Sequence, residues 1–461
     1  MGRARTIHRC RACAAVAPRW AGRCGQCGEW NSLVEEPAKV PGAQAGGEPA
    51  EVVLLGDVPA GAGAPVPTGV EELDRALGGG LVDGSVTLVG GEPGVGKSTL
   101  LLQVAATVAA QGRRALLVSA EESVEQVRRR AERLGPSAQK VAVTATTSLP
   151  DALAAAAAYG PGLLVVDSIQ TVADPSVPGA AGTMAQVREG AARCVALAKT
   201  RGIATVLVGH VTKEGSLAGP RTLEHLVDTV CSFEGDRHHA LRVLSVVKHR
   251  FGPAGELGVF TMGGAGLEGV ADPSALLLGD RQPGIPGSVV APVLEGRRPI
   301  LVEVQALVTD SALPTPRRAA QGLPSGRLAL LVAVLQRRAG VPLQAADVFA
   351  SAVGGIRVGE PASDLAVVLA LASAAYGCPV PGDVVACGEV GLGGEIRQVI
   401  HTERRLAEAA RRGFRHALVP PSAPPPPPGM TCTRLDHVQM ALALLGAGRR
   451  PPGGGLGRMP G

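Results

Sequence analysis

At 461 residues, with 46% hydrophobic and 18% charged content, the chain is too long for one hydrophobic core and too apolar for a disordered protein. Two or three globular domains are expected. A net charge of +5 is too small to identify a polyanionic partner, so any nucleic-acid contact has to come from local basic clusters. No run of about 18 apolar residues lacks charges and turn formers, which argues against a membrane-spanning helix. The opening MGRARTIHRCRAC lacks the apolar stretch of a signal peptide. A cytoplasmic protein with no membrane partner is therefore expected.

The chain opens on a cysteine module at 1–33. Cys10-x2-Cys13 and Cys24-x2-Cys27 set four of the nine cysteines in two paired knuckles. In a reducing compartment this spacing favours metal over disulfides, and tetrahedral Zn2+ takes all four thiolates. With no ligand position open, such an ion is structural. A redox disulfide fares worse, because two CxxC pairs crowd one small module. Arg3, Arg5, Arg9, Arg11, Arg19 and Arg23 make the module basic, which suits DNA, a partner protein or plain solvent. Residues 34–65, rich in Pro, Gly and Ala without periodicity, read as a linker.

From 66 to 271 short apolar runs alternate with amphipathic stretches. Strands are expected at 86–91, 114–120, 163–168, 204–210 and 241–250, with helices at 98–111 and 123–134. That repetition predicts a parallel sheet covered by helices. The segment Gly91, Glu92, Pro93, Gly94, Val95, Gly96, Lys97, Ser98 matches GxxxxGK[ST] between an expected strand and an expected helix. Its glycines let backbone N–H groups turn toward phosphate oxygens. Lys97 can reach the β- and γ-phosphates, and Ser98 or Thr99 can offer a hydroxyl to Mg2+. ATP and Mg2+ are the expected ligands.

Asp167 ends an apolar strand and fits a carboxylate that holds Mg2+ through water; a helix-capping aspartate is the plainer alternative. Glu121 and Glu122 follow another strand. Glu121, the first of them, is the expected base for the attacking water, although charges in a helix's first turn would also explain the pair. His210 closes a further strand, and residues 213–221 are glycine-rich and basic, as a nucleic-acid-contacting loop would be. Lys248 and Arg250, two apart on an expected strand, face one side and could meet phosphates of a nucleotide or of DNA. A solvated strand end would account for them too. Phe251 is expected to face the other way, into the core.

A second αβ region spans 272–446, with strands at 287–296 and 300–308, a helix at 326–338 and a five-proline surface loop at 424–428. Residues 447–461 read as a disordered tail. No lysine follows Lys248.

The cysteine ribbon, GEPGVGKST (91–99), VSAEES (118–123), VVDSIQT (165–171), GHVTKEGSLAGPRTLEHLVDTV (209–230), FEGD (233–236) and KHRFG (248–252) together resemble one family. The chain is similar to the RadA/Sms proteins, bacterial RecA-fold ATPases that promote branch migration of recombination intermediates. The resemblance implies an α/β fold: a RecA-like P-loop core, an N-terminal zinc ribbon and a C-terminal Lon-protease-like domain. It implies a role in DNA repair, single-stranded and branched DNA and the RecA recombinase as partners, and a ring-shaped homo-hexamer. His210 would sense the γ-phosphate, while Lys248 and Arg250 would couple nucleotide to DNA and to the next subunit. The family usually carries asparagine where this chain has His249.

Residues 388–414 resemble the Lon segment bearing the catalytic lysine, whose position falls on Glu403; the Lon nucleophile position falls on Ala362. A serine–lysine dyad needs a neutral amine, and a region without lysine has none to give. A proteolytically inactive scaffold is expected. A nucleotide-gated switch and a filament-forming recombinase stand as rival readings.

Overall fold

The structure is a computed structural model that describes residues 6–10, 16–17, 20–37, 53–57, 63–210, 223–235 and 241–445. Cys13, the basic loop at 213–221, the tail at 447–461 and most of the expected linker lie outside the described residues. The chain divides into two compact units, Met1–Ala62 and Gly63–Gly461.

In the first unit, β1 (Thr6–Cys10), β2 (Val16–Ala17) and β3 (Leu33–Pro37) form an antiparallel sheet in the order β2-β1-β3. β3 runs past residue 33 because the ladder with β1 continues until Pro37 meets Thr6. Cys10 pairs in register with Leu33, and with Cys24 these side chains make the buried core. Burial on that scale cannot hold a fold alone, so the module needs a staple.

The second unit starts with β4 (Pro65–Val66), α1 (Glu71–Ala76) and β5 (Leu81–Val82). A large sheet follows, built from β6 (Val86–Gly91), β7 (Ala115–Ser119), β8 (Ala142–Ala145), β9 (Leu163–Asp167), β10 (Ala204–His210), β11 (Thr229–Glu234), β12 (Leu241–His249), β13 (Leu257–Gly263) and β14 (Gly266–Gly269). Its order is β14-β13-β12-β11-β6-β10-β9-β7-β8. Strands from β11 to β8 run parallel, as expected. Residues 241–250 correct the expectation: β12 is antiparallel to β11 and opens a meander through β14. The connection after β11 is too short for a crossover helix, so the chain can only turn back.

Alternate residues of the central strands feed two cores. Val89, Leu117, Val165 and Val206 pack with α2 (Lys97–Ala110) and α3 (Val124–Leu134). Leu88, Leu116, Leu164 and Leu207 pack with α4 (Leu149–Tyr159) and α5 (Met184–Arg201) on the opposite face. Both faces are covered, which is why these strands read as unbroken apolar runs.

The remaining strands are β15 (Ser288–Glu295), β16 (Arg298–Asp310), β17 (Arg318–Gln321), β18 (Ala346–Ala352), β19 (Val384–Ala386), β20 (Glu389–Val390), β21 (Ile396–Arg397), β22 (His416–Val419) and β23 (Thr431–Arg434). All but β20 and β21 join a mixed sheet ordered β17-β18-β16-β15-β19-β22-β23. Its helices are α6 (Pro273–Leu278), α7 (Ser325–Ala339), α8 (Asp364–Tyr376), α9 (Thr402–Arg411) and α10 (Val438–Leu444). α8 is buried without a break from Asp364 to Ser373. No helix among the described residues is long and apolar enough to cross a membrane.

Two buried ion pairs fasten this unit. Glu72 of α1 accepts the Val259 N–H at 2.9 Å and the Arg298 guanidinium at 2.7 Å, tying α1, β13 and β16 together. Burial alone would raise the Glu72 pKa, but Arg75, the Val259 N–H and Arg298 outweigh it and hold the carboxyl below its ordinary range. Arg405 of α9 is fully buried; its fork meets both oxygens of Glu360, and it also donates to the Pro292 and Ile400 carbonyls at 2.9 and 3.0 Å. Arg405→Ala strands these acceptors, and a cost of about 3–5 kcal/mol is expected in urea unfolding followed by circular dichroism. A loss no larger than a surface pair's, below about 1 kcal/mol, would contradict the clamp.

Candidate nucleotide site and metal centre

Parallel register assembles the nucleotide site. His210 stands opposite Gly91, and Ser119 stands opposite Asp167. The carboxyl ends of β6, β10, β9 and β7 therefore bring the phosphate loop, His210, Asp167 and Glu121 to one edge, where open α/β sheets take their ligands.

The loop reverses into α2 at Gly96, whose φ of 115° excludes most side chains. At Gly91 a Cβ would lie 2.3 Å from the Phe233 carbonyl oxygen, so only glycine fits. Lys97 is buried, and its ammonium donates to the Gly91 and Glu92 carbonyls at 2.7 and 2.9 Å. Burial pushes the Lys97 pKa down while Asp167 and Glu121 pull the other way. Ser98 and Thr99 sit half-buried in the first turn of α2, with the Ser98 hydroxyl hydrogen-bonded to Asp167. Val95 is buried, whereas Glu92, Pro93 and Gly94 are exposed. Arg242, which the sequence did not single out, donates from β12 to the Val95 carbonyl at 3.2 Å and braces the loop.

The two glutamates part company in the fold. α3 begins at Val124 behind a capping box between Ser123 and Gln126, so both carboxylates precede the helix. Glu122 is turned to Arg130 in an ion pair. Glu121 instead accepts the Ser168 hydroxyl at 2.7 Å and the His210 Nε2–H at 2.9 Å. Burial works to raise its pKa but loses to His210, Ser168 and Lys97, so Glu121 ionises below the ordinary range. Asp167 goes the other way: burial raises it, Glu121 adds to that, and Ser98 opposes. Gln170 grips both backbone groups of His210, at 2.9 and 3.2 Å, and fixes the strand end. Ser168 and Gln170 lie within VVDSIQT (165–171), and only the fold, by setting them beside Glu121 and His210, gives them a role.

Lys248 and Arg250 stand elsewhere. Lys248 pairs with Val230, which pairs with Leu88, so it sits toward the amino end of the parallel strands. Three strand steps, about 10 Å, separate Leu88 from Gly91. The Lys248 ammonium donates to the Glu224 and Val227 carbonyls, and Arg250 lies 3.6 Å from Asp228. Burial and Arg250 lower the Lys248 pKa, opposed by Asp228 and Glu224. His249 donates from Nε2 to the Leu77 carbonyl and accepts the Thr229 hydroxyl at Nδ1, at 3.1 and 2.9 Å. Phe251 corrects the expectation of a core residue: it is 47% exposed, edge-on to His249. β12 ends at His249, so strand alternation no longer governs residues 250 and 251.

In the ribbon, the Cys10, Cys24 and Cys27 sulfurs all lie within 4.8 Å of one another. Backbone N–H groups of Cys27 and Gln26 directed at Cys24 hold its thiol below the usual range, as a metal-ligating thiolate requires. Three convergent thiols fit Zn2+, with the position of Cys13 outside the described residues.

A family model described as an AAA domain matches residues 57–216, and one described as a rubredoxin metal binding domain matches residues 8–35. DNA repair protein RadA of Pseudomonas aeruginosa is 47% identical over 452 residues, covering 96% of this chain and all of the relative. RadA of Mycobacterium tuberculosis is 46% identical over 449 residues, covering 96% of this chain and 93% of the relative. RadA of Aquifex aeolicus is 44% identical over 445 residues, covering 96% and 100%. An ATPase core behind a metal-binding ribbon fits the geometry above. Similarity of this depth along nearly the whole length leaves one assignment: the chain belongs to the RadA family of DNA repair proteins.

Proposed function

We propose that this protein is a DNA-dependent ATPase of recombinational repair, working as a ring-shaped motor on single-stranded DNA to drive branch migration. One observation carries the reading. Lys97, Asp167, Glu121 and His210 gather at one strand edge while Lys248 and Arg250 stand toward the other. A protomer so built cannot bring its own Lys248 to its own phosphate loop. A neighbour's loop can receive it, which favours an assembly of subunits, taken as a ring-shaped homo-hexamer.

In this reading residues 91–99 hold ATP, and Lys97 presents its charge to the β- and γ-phosphates. Mg2+, held by Ser98 and Asp167, supplies the charge neutralisation that phosphoryl transfer needs. Glu121, kept ionised by its neighbours, orients a water and takes its proton. His210, hydrogen-bonded to Glu121, senses the γ-phosphate at the end of β10 and passes its state to the loop that follows at 213–221, which grips DNA. Cys10, Cys13, Cys24 and Cys27 hold a structural Zn2+. The RecA recombinase as partner and a cytoplasmic site of action complete the reading.

Residues 272–446 serve as scaffold and not as protease. Ala362 is buried and lacks a hydroxyl, Glu403 is exposed on α9, and no lysine follows Lys248. The Ser363 hydroxyl donates to the Glu360 carbonyl, and burial pushes the Cys387 thiol up to about 12, so neither offers a replacement nucleophile.

ATP turnover measured with and without single-stranded oligonucleotide tests the motor: strong stimulation is expected, and none would favour a nucleotide-gated switch. Lys97→Ala is expected to lower turnover on the order of 100-fold and to abolish migration of a synthetic three-strand junction. Lys248→Ala is expected to lose migration through failed coupling; unimpaired migration would remove Lys248 from the mechanism. Metal analysis is expected to return one zinc per chain, lost in Cys24→Ser, and retention of zinc in that variant would refute the ligand set.

A further inference from the structure

The chain has only two tryptophans, and both lie in the ribbon. Large aromatic side chains are mostly buried in folded proteins. Here Trp20 is 58% and Trp30 69% exposed. Their rings converge on Gly22: a Cβ built there would meet Trp30 at 3.8 Å and Trp20 at 4.0 Å. The backbone makes the convergence, because Arg23 and Trp30 form an antiparallel bridge that folds the second knuckle back on Gly22. Arg23 is held in place. Its Nε donates to the Gly28 carbonyl at 2.7 Å, and its guanidinium lies 5.7 Å from the centre of the Trp30 ring. That leaves a fixed positive charge against one side of Trp30, with much of the indole in solvent.

We infer that the Trp20–Trp30–Arg23 surface of the ribbon is a stacking site for unpaired bases of single-stranded nucleic acid. Charge selects this occupant. Residues 1–33 carry six arginines and a single acidic residue, Glu29, so a polyanion is favoured over an acid-poor or basic surface. The indoles then supply what charge cannot: flat apolar faces that take any base, with Arg23 placed to meet the adjoining phosphate. Duplex DNA has no free base faces to offer, so the site reads strandedness and not sequence. The inference rests on single-stranded DNA being the motor's substrate, and it adds a second grip outside the ATPase core.

Because no other tryptophan exists, indole emission of the full-length, zinc-loaded protein reports on this surface alone. Titration with oligothymidylate is expected to quench it saturably. Heparin, a polyanion without bases, is expected to leave it unchanged. Trp30→Ala is expected to weaken oligothymidylate binding roughly tenfold, measured by anisotropy of a labelled strand, with one zinc per chain showing that the ribbon is folded. Trp30→Phe is expected to recover most of that loss. Unchanged emission beside oligonucleotide-stimulated ATP turnover would overturn the stacking site and leave the motor standing, pointing the indoles at a protein partner. Equal quenching by heparin would overturn it as well. Quenching without stimulated turnover would uphold the site and defeat the motor.

Discussion

The parallel backbone ladder between β6 and β10 is the constraint on which the nucleotide site depends. It sets His210 beside Gly91, and the neighbouring ladders carry Asp167 and Glu121 to the same edge. Register in such a sheet is enforced by burial. Leu88 and Val89 point into different cores, so a slip of one residue would send each side chain to the wrong face. Chemistry at the edge is thus positioned by apolar residues several steps away. Gln170 extends the control past the last rung by holding both backbone groups of His210.

At the nucleotide site the charged side chains stand in company. Lys97 is desolvated, which weakens its hold on its proton, and the two carboxylates nearby offset only part of that loss. Glu121 is kept ionised by donors on two other strand ends, while Asp167, deeper and beside Glu121, is pushed toward neutrality. Such opposed shifts in adjacent carboxylates follow from their different surroundings, donors around Glu121 and deeper burial at Asp167. Away from the site, Glu72 and Arg298 join the ATPase sheet to the strands behind it, so the two large sheets share a buried contact.

Much of this was readable in the chain. The phosphate loop was legible because its function is written in contiguous residues, and the cysteine knuckles for the same reason. The strands were legible because burial on both faces leaves unbroken apolar runs. What escaped reading is tertiary. Glu121 and Glu122 are indistinguishable in sequence and separate only when Arg130 claims one of them. Arg242 reaches Val95 across nearly 150 positions, and no local pattern announces it. In the C-terminal region the Lon-like resemblance points to Glu403, but the buried side chain is Arg405, whose charged neighbours disguise it as surface. Phe251 shows the converse: strand alternation predicts a core side chain there, but the strand ends two residues earlier and the ring is exposed.

The burial of α8 on every side has a consequence for how the chain can be cut or synthesised. Its apolar residues find their cover in β15 and β16, in α7, and in Val438, Ala441 and Leu442 of α10, near the end of the described chain. A nascent polypeptide has therefore made the greasiest helix of this region more than 60 residues before the last wall that shelters it. Truncation ahead of α10 would strip that wall away and turn part of the helix's apolar surface to water.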